Sequence, residues 1–578
     1  MAIENKDEFL NLARTRFQII NTAESHIRPA ALEDLKFVYN VEEGQWPSEV
    51  RAEREKDRRP CLTSNKLRKF VAQVANRARD ERLGGKVKPV DDKADPKVAE
   101  IMSGLIRYIE FSSKADEVYA DAGEKAVAGG FGYFRITTEE PDYSFDQEIF
   151  LRKIENQFSV YLDPKKEFAF IREGIPISEF KAKYPDKAPT SVDSQGEGDS
   201  DLWYDSEKVY IAEYFYKEIT KIELAKCVNM TTGEINVIEL SEEVTEDALA
   251  QQGYMVVQKK AKKVKKVKWA KISGFDVLEE GEWPGSEIPI IEVVGDYVNI
   301  AGKAYKRSLV RDAKDPQRAY NFWLTHMTET VALAPKAPYI VTPQEIKGFE
   351  EMWNSANQKN LPYLLYNAQG QKKPNRESPP TVPTGAGQML QISAGDLQDT
   401  IGMFESSFGA RSNERTGAAI KARANRSDFA VFHFHDNLKR AIIETMRQLI
   451  EIIPKVYDTE RRVRILGEEE QEVLVDINKK IINPETGEET IINDLSIGKY
   501  DVVPGMRLFS TRREESAQAM AEVMQAAPNI APLMLDLLFE NQDWPKADEI
   551  KRRLQKYMPQ LLGAKGGEPG GVEGGTEA

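Results

Sequence analysis

The chain has 578 residues, of which 41% are hydrophobic and 30% charged, and a formal net charge of −14. That length is too great for one compact core and calls for several subdomains, while the composition excludes a largely disordered or fibrous chain. The acidic balance excludes general adhesion to nucleic acid or anionic membrane, so any DNA contact has to be local. Cys61 and Cys227 stand alone without a CxxC, which leaves neither a disulfide framework nor a cysteine zinc site and fits a reducing cytoplasm. MAIENKDEFLNLARTRF is charged from its fourth residue and no apolar run approaches about 18 residues, so neither a standard secretion signal nor a membrane span is expected.

The first third reads as mainly helical. In TSNKLRKFVAQVANRARDER (63–82) a Thr/Ser/Asn start precedes Leu67, Phe70, Val71, Val74 and Ala78, the spacing of one apolar helix face. Val98, Ile101, Leu105, Ile106 and Ile109 repeat the pattern, and a further helix should run through Tyr119 and Ala122 to the glycines of VAGGFGYFRIT. From Gly132 to about Asp163 the period changes to that of strands, in GYFRIT and IFLRKIENQFSVYLDP, and ends in turn chemistry at Asp163-Pro164. More strands are expected at VYIAEYFYKEI, at CVNMTTGEINVIEL and at GYMVVQKKAKKVKKVKWAKI, and PTSVDSQGEGDSD (189–201) reads as a polar loop.

DAKDPQRAYNFWLTHMTETVALA (312–334) is the clearest helix: Asp315 can cap it, Pro316 suits its first turn, and Tyr320, Trp323, Met327 and Val331 line one face. A second helix is expected to start at the capping-box pattern SAGD (393–396), with Leu397, Ile401, Phe404 and Phe408 at 4-3-4 spacing. Between them, residues 335–392 hold eight prolines, two strand-like runs (APYIVTP, LPYLLYN), one helix (IKGFEEMWNSANQ) and the loop KKPNRESPPTVPTGAGQ, the composition of a small insertion domain. A long helical pattern then runs to Ile453, before Pro454, with Phe434, Leu438, Ile442, Thr445 and Leu449 on one stripe and Phe432, Ile443, Met446 and Ile450 widening it. A β segment follows through RRVRIL, EEQEVLVDI, TIIND and YDVV, then helices in about 512–562 and a Gly/Glu tail.

Enzyme motifs are missing. There is no GxxxxGK[ST], GxSxG or HExxH, and GGFG (129–132) lacks the spacing of a dinucleotide site. No cofactor is called for. His433 and His435, two apart on a helix, point about 200° away from each other and cannot grip one metal, so a packed structural pair is the reading and no metal site is expected. KKAKKVKKVKWAKI has seven lysines between 259 and 268; these can form a phosphate-binding face. The preferred alternative is the solvated edge of a strand whose Val264, Val267, Trp269 and Ile272 pack inward, since edge lysines discourage aggregation. Arg411, Arg415, Lys421, Arg423 and Arg426 gather where a long helix begins, against its own macrodipole, an arrangement that invites a polyanion or an acidic neighbour.

KDPQRAYNFWLTHMTETVALAPKAPYIVT (314–342), the MWNSAN and PYLLYN runs, SNERTGAAIKARANRSDFAVFHFHDNLKRAI (412–442), IPKVYDTERRVRIL (453–466) and GKYDVVPGMRLFSTRREESAQAM (498–520) resemble, taken together, the portal proteins of short-tailed bacteriophages. The resemblance covers roughly residues 30–560. It implies an α+β, mainly helical subunit with wing, stem, clip and crown. Residues 1–311 would be the N-terminal wing region, 312–334 and 393–410 the stem helices, 335–392 the clip between them and 411–420 the tunnel loop. Residues 421–458 would be the long wing helix, 459–508 the β part of the wing, 509–562 the crown and 563–578 a disordered tail. Longer family members carry a helical barrel after the crown; here no long barrel is expected.

The same resemblance implies a ring of about twelve copies at one capsid vertex, assembled in the host cytoplasm, through which double-stranded DNA is packaged and ejected. Terminase and a tail adaptor would dock on the clip, at Trp353, Tyr363, Tyr366, Lys372, Lys373 and Arg376. The major capsid or scaffolding protein would be a further partner, and no membrane is involved. The basic cluster Arg411, Arg415, Lys421, Arg423 and Arg426 would meet phosphates at the channel wall without reading bases, as a conduit requires. Two other classes stay open: a tail adaptor ring, which the order of helix, clip, helix and loop argues against, and a metal-dependent nuclease built on scattered carboxylates.

Overall fold

The computed structural model describes residues 5–506 apart from 188–202, 204–206, 333–338, 369–372, 378–383, 404–416, 467–471, 483–488 and a few shorter stretches, with 520 and 523–525 beyond them. The expected polar loop, the first part of the tunnel loop, nearly all of the crown helices and the tail therefore lie outside the described residues. The chain divides into a larger unit, residues 1–79 and 87–502, and a smaller one, 80–86 and 503–578. In the smaller unit residues 83–86 and 503–506 are strand; the other elements, Asp80 at a helix end apart, lie in the larger unit. Of the described residues 43% are helical and 31% strand, an α+β fold in which helix exceeds strand without dominating it.

Two antiparallel sheets organise the larger unit. In one, Phe131–Glu139 lies between Ile290–Val294 and Glu148–Lys153. Helices Pro96–Ser112, capped by Asp95, and Ala115–Gly129 pack against it. Helix and strand meet backbone to backbone at Gly132, where a Cβ would lie 2.1 Å from the carbonyl oxygen of Ala122. The other sheet runs Val160–Leu162, Phe168–Pro176, Lys208–Asn229, Tyr254–Ser273, Val277–Trp283, with Ile235–Leu240 added beside Lys208–Asn229. Helix Lys6–Ala23 lays Leu10, Ala13, Phe17 and Ile20 on one face of it, over Phe170, Tyr214, Ala270 and Ile272. Since alternate residues point to opposite faces, Ala169, Phe215 and Val267 look the other way, into a core shared with Phe131, Tyr133 and Ile290 of the first sheet.

Helix Gly417–Val456, 40 residues and so roughly 60 Å long, runs along the segment 284–295 in the opposite direction. Asn437 donates to the Gly295 carbonyl (2.7 Å), Gln448 to that of Ile288 (3.4 Å) and Lys455 to that of Pro284 (2.6 Å). The expected stripe Phe434, Leu438, Ile442, Thr445 and Leu449 is buried, whereas Phe432 is 58% exposed. The helix expected to start at SAGD begins well before it, as Thr384–Ile401, and buried Ser393 turns its hydroxyl to the Met389 carbonyl (2.8 Å). A capping residue can sit inside a helix in this way when its hydroxyl bonds back one turn.

Helix Lys314–Ala332 is fixed by polar groups. Asp34, 0% exposed, accepts from Ser308 (2.7 Å) and Arg311 (2.8 Å) and pairs with the Lys314 ammonium (2.6 Å) at the helix start. Further along, Gln317, Asn321, Thr325 and Glu329, four residues apart, are all buried. The Lys66 N–H donates to Gln317 (3.1 Å), the Ser64 N–H to Asn321 (3.0 Å) and the Leu62 N–H to Thr325 (3.1 Å); Gln317 donates back to the Ser64 carbonyl (2.9 Å). Four residues of helix advance about 6.0 Å and two of extended chain about 6.6 Å, so the two periods match over the two steps that join these three positions. At the last step Glu329 accepts from Arg54 (2.8 Å) and Arg59 (2.5 Å).

On the face expected for Tyr320, Trp323, Met327 and Val331, the first three are half-buried, because the polar stripe takes the inner side, and the Val331 side chain lies outside the described residues.

Hydrogen bonds from Arg59 and Arg54 hold the Glu329 carboxyl at about 2 against an ordinary 4.5. A carboxyl depressed on folding adds stability that is complete above about pH 4.5 and fades as pH falls toward 2. Glu329→Gln should lower the thermal midpoint at neutral pH, and its difference from the parent should shrink steadily through that window; a pH-independent difference would remove the ion pairs from the account. Gly132→Ala should cost about 1–3 kcal/mol in urea unfolding, and an unchanged midpoint would mean that the strand and helix can part freely.

Candidate channel and docking surfaces

Helices Lys314–Ala332 and Thr384–Ile401 pack on each other, and Leu397 and Ile401 share a core with Val431 and Phe434 of the long helix. With the polar stripe turned inward, the outer side of the first helix carries aromatics. Phe322 is 47% exposed; its ring lies parallel to that of His326 at 6.2 Å, and Trp323 meets His326 edge-on at 6.0 Å. On the second helix Met389 and Ile392 are exposed. The hairpin therefore offers an apolar outer surface, which covers best against another protein surface.

The segment between the two helices is organised around one aromatic contact. Strands Tyr339–Ile340 and Asn375–Arg376 pair, the Trp353 ring stands edge-on to Tyr339 at 5.2 Å, and the Arg376 guanidinium lies 5.0 Å from the Tyr339 ring centre. Trp353 also donates its indole N–H to the Leu365 carbonyl (2.7 Å), and the Asn367 side chain donates to the Lys347 carbonyl (2.7 Å). These bonds hold LPYLLYN as coil, so the strand expected there does not form. The single expected helix is two short ones, Pro343–Ile346 and Glu350–Asn354, separated at Gly348 with φ +87°. Of the docking residues read from the sequence, Trp353 and Arg376 serve this nucleus. Tyr363 is 67% and Tyr366 41% exposed, Lys373 is exposed and Lys372 lies outside the described residues.

For the basic cluster, Arg411 and Arg415 lie outside the described residues. Lys421, Arg423 and Arg426 fall on helix Gly417–Val456, whose side chains are described from Ala430 onward. His433 is exposed and His435 buried, on different sides of that helix as their spacing demands. Among the described residues no three or more of His, Cys, Asp and Glu group as metal ligands, and no helix is long and apolar enough to cross a membrane. The lysine run sits on strand Tyr254–Ser273, which is internal where Val277–Trp283 pairs with it and has an open edge beyond Val267. Sequence reasoning passes over Arg54 and Arg59, whose partner Glu329 lies some 270 residues away; the four-residue spacing of Gln317, Asn321, Thr325 and Glu329 was the one local signal.

Comparison with known proteins gives these surfaces a context. The profile of the family described as Phage P22-like portal protein matches residues 14–569. A protein named "Portal protein" from Acyrthosiphon pisum secondary endosymbiont phage 1 is 25% identical, over 94% of this chain and 80% of its own length. The family is structural rather than enzymatic and its members are components of the phage particle. The chain belongs to the P22-like phage portal proteins.

Proposed function

We propose that the chain is the subunit of a ring of about twelve copies that forms the channel for double-stranded DNA at one capsid vertex and the platform on which terminase and the tail adaptor dock. The observation that carries the reading is the family match along residues 14–569, which spans the helical hairpin, the segment between its arms and the long helix that follows. Helices Lys314–Ala332 and Thr384–Ile401 are the stem, residues between them the clip, the region from 411 the tunnel loop, whose last four expected residues, 417–420, are already helical, and Gly417–Val456 the helix that leads back to the wing. The aromatic outer face of the stem supports side-by-side packing of copies. Arg411, Arg415, Lys421, Arg423 and Arg426 bring positive charge to the start of the long helix, where sequence-blind attraction to phosphate suits a moving duplex. The exposed rings of Tyr363 and Tyr366 are the clip side chains best placed to anchor a partner. Energy for packaging comes from the terminase, and the chain itself performs no catalysis.

Native mass spectrometry with electron-microscope class averages should give a closed ring of about twelve subunits with a central hole; a monomer or dimer at all salt concentrations would overturn the conduit. Arg415→Glu with Arg423→Glu should leave that ring intact and reduce the DNA packaged per head, and unchanged packaging would take both residues off the DNA-contact list. Tyr363→Ala with Tyr366→Ala should weaken terminase or adaptor binding by at least about tenfold while the ring persists; undiminished binding of both partners would remove the clip assignment.

A further inference from the structure

The ribbon made by Lys208–Asn229 and Tyr254–Ser273 outruns its neighbours. Phe168–Pro176 pairs with the first strand as far as Tyr216, and Val277–Trp283 pairs with the second as far as Val267. Beyond those points the two strands continue alone to a head where Ile235–Leu240 joins them and helix Glu246–Gln251 packs on one face, Leu249 meeting Ala225 and Cys227. Side-chain alternation assigns the other face. There Lys226 stands opposite Val237, and Val228 opposite both Ile235 and Met255. Ile235, Val237 and Met255 are 48%, 64% and 51% exposed, while Ala225 and Cys227 on the helix side are 0% exposed.

The same open face continues down the ribbon through Lys260, Lys262 and Lys266, in register with Leu224, Ile222 and Glu218. Nearby lysines have acidic partners within the chain: Lys259 with Glu246, Lys265 with Glu167, Lys268 with Glu218. Lys226, Lys260, Lys262 and Lys266 are exposed and form no ion pair among the described residues. Lone apolar side chains at a surface need no explanation, but three neighbours bordered by uncompensated positive charge do.

We propose that this face is a docking surface for an acidic amphipathic segment of a different protein, whose apolar side chains cover Ile235, Val237 and Met255 and whose carboxylates meet Lys226, Lys260, Lys262 and Lys266. Charge selects among the occupants. A second copy laid face to face about a twofold axis would set lysine against lysine, a repulsion that excludes that pairing; a neighbour covering the face head to tail would shut out the designed peptide and so overturn the proposal. DNA would neutralise the lysines, yet its phosphates and sugars leave the apolar centre uncovered. An acidic protein segment satisfies both halves, with apolar burial giving affinity and opposite charge giving register. This inference is independent of the DNA-conduit reading and stands or falls separately from it.

The test is fluorescence anisotropy with the full-length protein at physiological salt, where weak surface attraction is screened. The probes are a short peptide with three clustered apolar residues followed by alternating glutamates, its scramble, polyglutamate of equal charge, a short DNA duplex and phosphatidylglycerol vesicles. The designed peptide is expected to bind at least about tenfold more tightly than the scramble or polyglutamate. Lys260→Glu/Lys262→Glu/Lys266→Glu and, separately, Val237→Ser/Met255→Ser should each lose about that factor. Equal binding of polyglutamate, preference for DNA or vesicles, or no binding of the designed peptide would overturn the proposal. Should a variant fail to fold, the comparison among probes on the unaltered protein still decides.

Discussion

The irregular segment Leu62–Lys66 needs partners for its backbone, and one helix supplies them from its side chains. A backbone N–H turned away from water without a partner costs about 1–3 kcal/mol; the N–H groups of Leu62, Ser64 and Lys66 are part-buried, and among the described residues 62–66 pair with no strand. Gln317, Asn321 and Thr325 stand in for that strand. Asp34 fixes where the helix begins, and Glu329, gripped by two arginines, fixes its far end against the N-terminal region. Because this polar row has to face inward, the aromatic row faces outward. Tyr320, Trp323 and Met327 are left half-buried and Phe322 exposed, and the hairpin partner adds exposed Met389 and Ile392. One demand of backbone hydrogen bonding therefore settles which surface of the hairpin is left for other molecules.

Long periodic helices were legible in the sequence. The apolar spacing of Val98 to Ile109, the pattern from 67 to 78 and the stripe from Phe434 to Leu449 all correspond to helices, since each buries a regular face. The strands with strong β-branched and aromatic alternation, such as Lys208–Asn229, were legible too. What escaped depends on tertiary context. Short strands such as Phe168–Pro176 and Ile290–Val294 gain their definition from neighbours already in place. Ser393 has the chemistry of a cap and the position of a helix interior, because its hydroxyl finds Met389 instead. The helix Lys314–Ala332 misled for a related reason: hydropathy puts tryptophan inside and glutamine outside, and only the distant segment at 62–66 reverses the preference. Composition pointed to the segment between this helix and Thr384–Ile401, whereas it could not divide Trp353, which packs edge-on to Tyr339, from Tyr363, which is exposed.

Electrostatics in this acidic chain is local. Lys306 is largely buried; burial alone would depress its ammonium, but Glu292, Tyr133 and Glu24 outweigh that and hold its pKa well above the ordinary value. Glu292, which burial would push up, is drawn below its usual range mainly by the same lysine. Such pairs are compensated where they lie and add little to the outer field. The lysine run follows the opposite rule: Lys259, Lys265 and Lys268 pair with carboxylates, whereas Lys260, Lys262, Lys263 and Lys266 form no ion pair among the described residues. Net charge of −14 is thus compatible with basic surfaces of defined extent, each effective only within about 8–10 Å at physiological salt.

The helix Gly417–Val456 is tied along its second half, at Asn437, Gln448, Glu451 and Lys455, to the turn and strand at 284–295. Val431 and Phe434 extend that anchorage to Leu397 and Ile401 of the helix Thr384–Ile401. From Val431 back to Gly417 is 14 residues, roughly 21 Å, so each degree of tilt about that contact displaces the helix start by about 0.4 Å. Strain in the sheets that tilts the helix is therefore passed on rigidly, without amplification, to the end of the helix where Lys421, Arg423 and Arg426 lie.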